Sequence, residues 1–247
     1  MKRPQHLDHL LSRWVFDPNT LNSRMVKGRD GRDVIQMRVD MGVLQLETTG
    51  RPDGAQPNGC ETYLDYLQGV LLKDPDRKLS EGECGEVDRE FIQYYHRRIC
   101  WLSLREFRRA ARDADHSLAF MDFLKTCSPN EEWTLSHEQY RPFVLFHRIQ
   151  AEALIALDDG EGAEAAVEVI SQGLDRLRVL FESYEGAERF EDDDIVKRLI
   201  EIREDIRKRY EIGLTLRERL DAAVAHEQYE LAAKLRDELA KRDLGPL

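Results

Sequence analysis

Hydrophobic positions follow two different periods along the chain, and the strand-like period is confined to one short segment. Between residues 34 and 48, apolar and polar side chains alternate, which is the pattern of half-buried β-strands. A turn at Met41-Gly42 would pair Val39 with Leu44 and place the apolar side chains of both strands on one face. Because a lone hairpin is marginal in water, the sequence predicts an N-terminal β-hairpin with flanking helices that cover it.

Helical spacing prevails from residue 88 to residue 181 and divides into two antiparallel helical hairpins. The two hairpins resemble degenerate tetratricopeptide repeats. The residues that carry this resemblance are Tyr94, Trp101, Phe107, Ala110 and Leu118 in the first hairpin and Leu154, Leu157, Gly160, Ala166, Ile170 and Leu174 in the second. Arg97 and Arg98 depart from the repeat pattern, and an ordinary helical bundle is the alternative interpretation.

The last thirty or so residues predict a further helical hairpin, interrupted at residues 226–228. Two apolar stripes are expected to fold face to face. The first stripe contains Leu216, Leu220, Ala223 and Val224, and the second contains Tyr229, Ala232, Leu235 and Leu239. The alanine pair Ala232-Ala233 permits close approach of the two helices.

This hairpin resembles the UVR motif, which is found in the excision-repair proteins UvrB and UvrC, in Clp-type ATPases and in an activator of a bacterial protein arginine kinase. The resemblance lies in the leucines and valine of the first helix, in Tyr229-Glu230 where the family has Phe-Glu, in Ala232-Ala233, and in the run from Leu235 to Leu239. Glu227 replaces a leucine of the excision-repair versions, and Arg242 stands where the family usually has leucine.

The resemblance implies protein contact, because a UVR hairpin pairs with a like hairpin on a partner. A hairpin of this size also buries too little apolar surface to be stable alone. The predicted partner-binding residues are Leu216, Leu220, Val224, Tyr229, Glu230, Ala232, Leu235, Arg236, Asp237 and Leu239. The partner would be a protein, either another UVR-motif protein or a second copy of this chain.

The chain as a whole is therefore predicted to be mainly α, with three parts. Residues 1–80 would form a small α+β region, residues 86–212 a helical, repeat-like body, and residues 213–243 the UVR-type hairpin. Turn-forming residues between 74 and 85 place the first boundary.

Charge and cysteine content limit the class of partner. The chain has 48 acidic and 37 basic residues in 247, a formal net charge of -11, which disfavours binding to a phosphate backbone. Its four cysteines are widely separated, and no apolar run is long enough to cross a bilayer. These features predict a cytoplasmic protein with reduced thiols and without membrane or strong nucleic-acid binding.

Sequence signatures of catalysis are missing: no phosphate-binding, dinucleotide-binding, serine-hydrolase or zincin motif occurs. Asp113 and His116 share a turn that is expected to face solvent. The acidic run at residues 191–194 is expected to begin a helix rather than to hold a cation. The sequence thus predicts no enzyme, no cofactor and no metal site.

A non-catalytic adaptor or regulatory protein is the leading hypothesis, with a role in bacterial DNA repair or in Clp-type protein quality control. The alternative is a small enzyme whose site would lie between the N-terminal hairpin and the helical body, around Asp40, Asp65 and His96. A large, concave polar pocket at that place would favour the alternative.

Overall fold

The computed structural model describes residues 6–158, 162–184 and 186–243, with side chains described up to residue 240. It is mainly helical, with one small antiparallel sheet, as the sequence predicts. The chain divides into two compact units, one up to Ala151 and one from Glu152. The domain boundaries predicted near residues 80 and 212 are not tested by this division and stay predictions.

The predicted β-hairpin is present as strands β2 (Asp33–Val39) and β3 (Gly42–Glu47). The predicted register is wrong by two residues: Val39 pairs with Gly42, and Asp40 and Met41 form the turn. Arg38 accounts for the shift, because its guanidinium donates hydrogen bonds to the carbonyl oxygens of Val39, Asp40 and Gly42 and so closes the turn one residue earlier. A shift of two keeps each side chain on its predicted face.

A third strand, β1 (Ser23–Lys27), extends the sheet in the order β1-β2-β3 and was not predicted from the sequence. Its polar flank is stabilised by Arg24, which donates to Gln36 Oε1 at 2.8 Å and lies over the ring of Trp14. Trp14 directly follows the first helix, α1 (Asp8–Arg13). Five residues with one short apolar pair give too weak a periodic signal to identify this strand.

The helices of the first unit follow the sheet. They are α2 (Tyr63–Leu71), α3 (Glu81–Ser103), α4 (Phe107–Cys127), α5 (Glu131–Glu138) and the start of α6 (Arg141–Asp158). The predicted break at residues 81–85 is wrong, because Ser80 and Glu83 form a capping box that starts α3 at Glu81. Side chains of α2, α3 and α4, among them Leu67, Val87 and Phe120, form one buried core cluster.

The second unit contains the end of α6 and helices α7 (Ala163–Ser183), α8 (Asp194–Tyr210), α9 (Leu216–Ala225) and α10 (Tyr229–Asp243). A short 3-10 helix, Ala187–Asp192, precedes α8. Asp193 caps α8 by accepting hydrogen bonds from the amides of Ile195 and Val196, so the acidic run begins a helix as predicted. Helices form at both predicted central hairpins, while their tetratricopeptide-like arrangement remains a prediction.

Candidate functional site

The C-terminal hairpin begins at a capped helix end. Thr215 is 3% exposed, and its hydroxyl accepts a hydrogen bond from the amide of Glu218, whose carboxylate accepts one from the amide of Thr215 at 2.9 Å. This reciprocal pair satisfies two amides that no helical carbonyl can reach. The cap fixes the point at which α9 starts.

The seam between α9 and α10 is made of small and branched apolar side chains. Ala223 and Leu235 are 2% exposed and Ala232 is 8% exposed, and Leu216 and Leu220 pack against them. Alanine at both central positions lets the backbones of the two helices approach closely. The hairpin thus has a core of its own, although a small one.

The turn between the helices is closed by the backbone. The amide of Gln228 donates to the carbonyl of Ala223 at 2.8 Å, and Glu227 adopts a left-handed conformation with φ of 56°. That conformation reverses the chain in a few residues. It brings Val224, at the end of α9, and Tyr229, at the start of α10, to the two sides of the same turn.

Ion pairs attach the hairpin to the rest of the second unit. Arg207 of α8 donates a hydrogen bond to Glu218 of α9, and the Nη2 atom of Arg217 lies 3.4 Å from Asp175 of α7. Burial alone would raise the pKa of Glu218, but the hydrogen bonds from Arg207 and from the Thr215 amide, together with the charge of Arg207, lower it below its ordinary value. The ionised carboxylate therefore stabilises the attachment.

We expect Glu218→Gln to destabilise the hairpin by about 1 to 2 kcal/mol, since it removes a charged hydrogen bond and weakens a cap. A depressed pKa contributes stability above the ordinary value of 4.5, and that contribution is lost as the pH falls through the folded-state value. Thermal melts followed by circular dichroism should separate wild type from variant at neutral pH and bring them together in acid. Glu230→Gln, an exposed position in the same hairpin, should change neither melt.

The outer face of the hairpin exposes apolar side chains around its turn. Tyr229 is 69% exposed, Val224 is 53% exposed and Leu231 is 42% exposed. A shallow groove runs from Glu227 along the first turns of α10 to Lys234. We call the three apolar side chains the tip patch. Tyr229 and Leu231 line this groove together with Glu227, Glu230 and Lys234, and contiguous apolar surface rimmed by charged residues is typical of protein-binding sites.

The predicted partner-binding residues thus separate into two groups. Leu216, Leu220, Ala232, Leu235 and Leu239 are buried or half-buried, whereas Val224, Tyr229, Glu230, Arg236 and Asp237 are exposed. The expectation that Val224 and Tyr229 belong to the facing stripes is wrong, because both side chains are more than half exposed and neither packs against the buried seam residues. The Nη2 atom of Arg236 lies 2.9 Å from Asp237 Oδ1 at the surface.

Two residues matter here that the sequence did not single out. Leu231 belongs to the tip patch, and Arg207 holds the hairpin on α8. The helical period alone could have indicated Leu231, since it lies off the seam stripe. Arg207 gave no such signal, because it lies in a basic run that pairing within one helix explains equally well.

The residues considered for catalysis are used in the architecture of the first unit. The prediction that Asp113 and His116 face solvent is wrong: Asp113 is 5% exposed and pairs with Arg97, and His116 lies 3.0 Å from Glu90. Asp65 completes the cap of α2, and Asp40 forms the exposed β-turn. Among the residues that the structure describes, no cluster of three potential ligands is arranged to hold a metal ion.

Similarity to known proteins is limited to the hairpin. No curated protein and no solved structure matches the chain. Within the described residues, no helix combines the length and the apolar character that crossing a membrane requires. Comparison with protein families identifies no repeat motif in the central helices. Residues 214–241, which include α9 and nearly all of α10, match the family described as UvrB/uvrC motif, and the C-terminal hairpin carries the UVR motif.

Proposed function

We propose that this chain is a non-catalytic, cytoplasmic adaptor that binds a partner protein through its UVR hairpin. DNA repair and Clp-type protein quality control are the two settings that the motif suggests. The hairpin is the binding element, and the helices before it carry it. A second UVR hairpin, on another protein or on a second copy of the chain, is the partner that the motif favours.

The exposed tip patch is the observation that carries this proposal. The apolar residues between the two helices are covered by each other in the seam. On another side of the hairpin, Arg207 and Arg217 form ion pairs between it and helices α7 and α8. Tyr229, Val224 and Leu231 have no such cover within the described residues. A partner that covers these side chains would stabilise the complex by about 25 cal/mol for each square ångström of apolar surface that it buries.

Retrieval from the native cytosol, quantified by mass spectrometry, tests the proposal. We expect a tagged chain ending at Ile212 to stay folded and helical but to lose the main partner of the full chain. Tyr229→Asp in the full chain should reduce retrieval of the same partner at least about tenfold. Tyr210→Asp changes a tyrosine that is also exposed but lies outside the hairpin, and it should retain the partner.

Arg236→Ala provides a finer test, because this exposed guanidinium contributes little to the hairpin itself. We expect helicity to remain while capture weakens, since a partner carboxylate would lose a charged hydrogen bond. A partner retained by the truncated chain and by Tyr229→Asp would refute the adaptor assignment. Sedimentation of the purified chain would show whether that partner is a second copy.

Binding to duplex DNA should be weak. The net charge of -11 repels the phosphate backbone over most of the surface. We expect a dissociation constant no tighter than the nonspecific range of about 10⁻⁴ to 10⁻⁶ M at physiological salt. Fluorescence anisotropy with a labelled duplex measures this directly. Nanomolar, salt-sensitive binding would contradict the prediction and would direct attention to the basic residues of α8.

A further inference from the structure

The first unit contains an apolar cavity that the proposed adaptor role does not use. It has a volume of about 720 Å³ and lies among α3, α4, α5 and the start of α6. Its walls include Phe91, Met121, Phe143 and Val144. Pockets of about 300 to 1,000 Å³ with mainly apolar walls are typical of small-molecule sites.

Two charged side chains line this cavity: Asp88 is exposed and its Oδ1 atom lies 2.9 Å from His137 Nε2, and Arg98 is the buried one. It is 2% exposed, and its neighbour on the cavity wall is Ser117. The Nη1 atom of Arg98 donates to Ser117 Oγ at 3.1 Å, and Nε donates to His147 Nδ1 at 3.2 Å. Both acceptors are neutral, because burial and the nearby charge of Arg98 lower the pKa of His147 to about 3.

No carboxylate among the described residues lies within ion-pair distance of Arg98. The three buried carboxylates among the described residues of the first unit have other partners. Glu138 accepts a hydrogen bond from Arg141 Nε at 2.6 Å. Both oxygens of Asp113 accept from Arg97 at 2.8 Å, and Glu90 accepts from the amides of Tyr63 and Leu64 and contacts His116. Burial lowers the pKa of Arg98 and the negative charge of Asp113 raises it, with a net pKa of about 10. The guanidinium therefore remains protonated at neutral pH.

A buried cation without a contacting anion is costly in a folded protein. The cost falls when an anion reaches the cation from the cavity, and an arginine fork suits a carboxylate in particular. The remaining surface of such an anion must be apolar, because the walls offer aromatic and aliphatic contacts. Exposed side chains of Ile92 and Tyr140 mark where the cavity opens to solvent.

We propose that this cavity binds a small amphipathic carboxylate, with the carboxylate on the guanidinium of Arg98 and an aromatic or aliphatic body between Phe91 and Phe143. This site is independent of the UVR hairpin, and all its residues lie in the first unit. The Ser117 hydroxyl donates to the carbonyl of Asp113 at 3.0 Å and accepts from Arg98, so the charge of the Arg98 guanidinium is what selects a carboxylate over a neutral group of the same shape.

Calorimetric titration of the full chain with matched probes tests the proposal. The probes are naphthoate with naphthamide, and octanoate with octanamide, so that each pair differs only in the charge of its head group. We expect at least one carboxylate to bind with a dissociation constant below about 1 mM and at least about tenfold more tightly than its amide. Equal affinity within both pairs, or no binding by either carboxylate, would overturn the proposal.

Variants at the cavity opening identify the site without disturbing the core. Ile92 is 57% exposed, so Ile92→Glu and Ile92→Gln should both fold. Glutamate places a negative charge on the path to Arg98 and should weaken carboxylate binding about fivefold or more relative to glutamine, with no effect on the amide. Arg98→Met should abolish the preference for the carboxylate. Carboxylate binding that is the same in both Ile92 variants would place it elsewhere and refute the site.

Discussion

Replacing Ala232 with glutamate is expected to unfold the C-terminal hairpin, at a cost of about 2 to 4 kcal/mol. Ala232 is 8% exposed and lies in the seam with Ala223 and Leu235. A longer, charged side chain at this position forces the helices apart and places a carboxylate against apolar neighbours. Since a hairpin core this small has little stability to lose, the helices should separate and partner capture should be lost with them.

The adjacent Ala233 provides the matched control, because it is exposed and belongs to the same helix. Ala233→Glu makes the same chemical change one residue away and should leave the hairpin folded. Hydrogen exchange of residues 216–240 measures the effect locally. Tryptophan fluorescence should stay constant in both variants, because Trp14, Trp101 and Trp133 all lie in the first unit. Full protection of the hairpin in Ala232→Glu would mean that its helices do not meet at this face.

The hairpin could be predicted from the sequence because its information is local. Two apolar stripes and an interruption of three residues specify two short helices and the face on which they meet, whereas only Ala232 of the predicted alanine pair lies in the seam and Ala233 is exposed. The orientation of Val224 and Tyr229 was harder, because both residues stand at a helix end beside the turn. There the left-handed Glu227 sets the direction of the chain, and nothing in the apolar period indicates it.

The N-terminal sheet shows the same limit at longer range. Alternation predicted the faces of β2 and β3 but not their register, because the register depends on hydrogen bonds from Arg38 to three carbonyls. The start of α3 was obscured by two glycines near a capping box. Helix caps, turns and hydrogen bonds from side chains to the backbone depend on individual residues. The periodic pattern of apolar residues therefore does not reveal them.

The buried charges of the first unit were the least predictable feature. Arg97 and Arg98 are consecutive residues, and a charge pair in sequence normally indicates a solvated face. In the structure they are 3% and 2% exposed. Arg97 reaches Asp113 on α4, which is sixteen residues away in the chain, and its Nη1 atom donates to the carbonyl of Gly50 at 2.7 Å. The packing of α3 against α4 and against the loop after β3 brings these groups together.

Neutralising Asp113 should therefore destabilise the first unit strongly. Asp113→Asn keeps the shape of the side chain but places an amide donor against the guanidinium of Arg97, with both groups buried. Removal of one partner from a buried ion pair costs about 3 to 5 kcal/mol, because the other charge remains without compensation. Urea unfolding followed by tryptophan fluorescence reports this unit alone, since all three tryptophans lie in it.

Asp115→Asn is the control on the same helix. Asp115 is 53% exposed and lies 2.5 Å from Arg148, and exposed ion pairs contribute about 0 to 1 kcal/mol. Asp113→Asn should lower the free energy of unfolding much more than Asp115→Asn does. Loss of the ion pair with Arg97 is one part of this difference, and loss of the favourable interaction between the charges of Asp113 and the buried Arg98 is another. Equal unfolding midpoints for the two variants would show that water reaches Arg97 and Arg98 in solution, and the argument from uncompensated buried charge would then fail for both arginines.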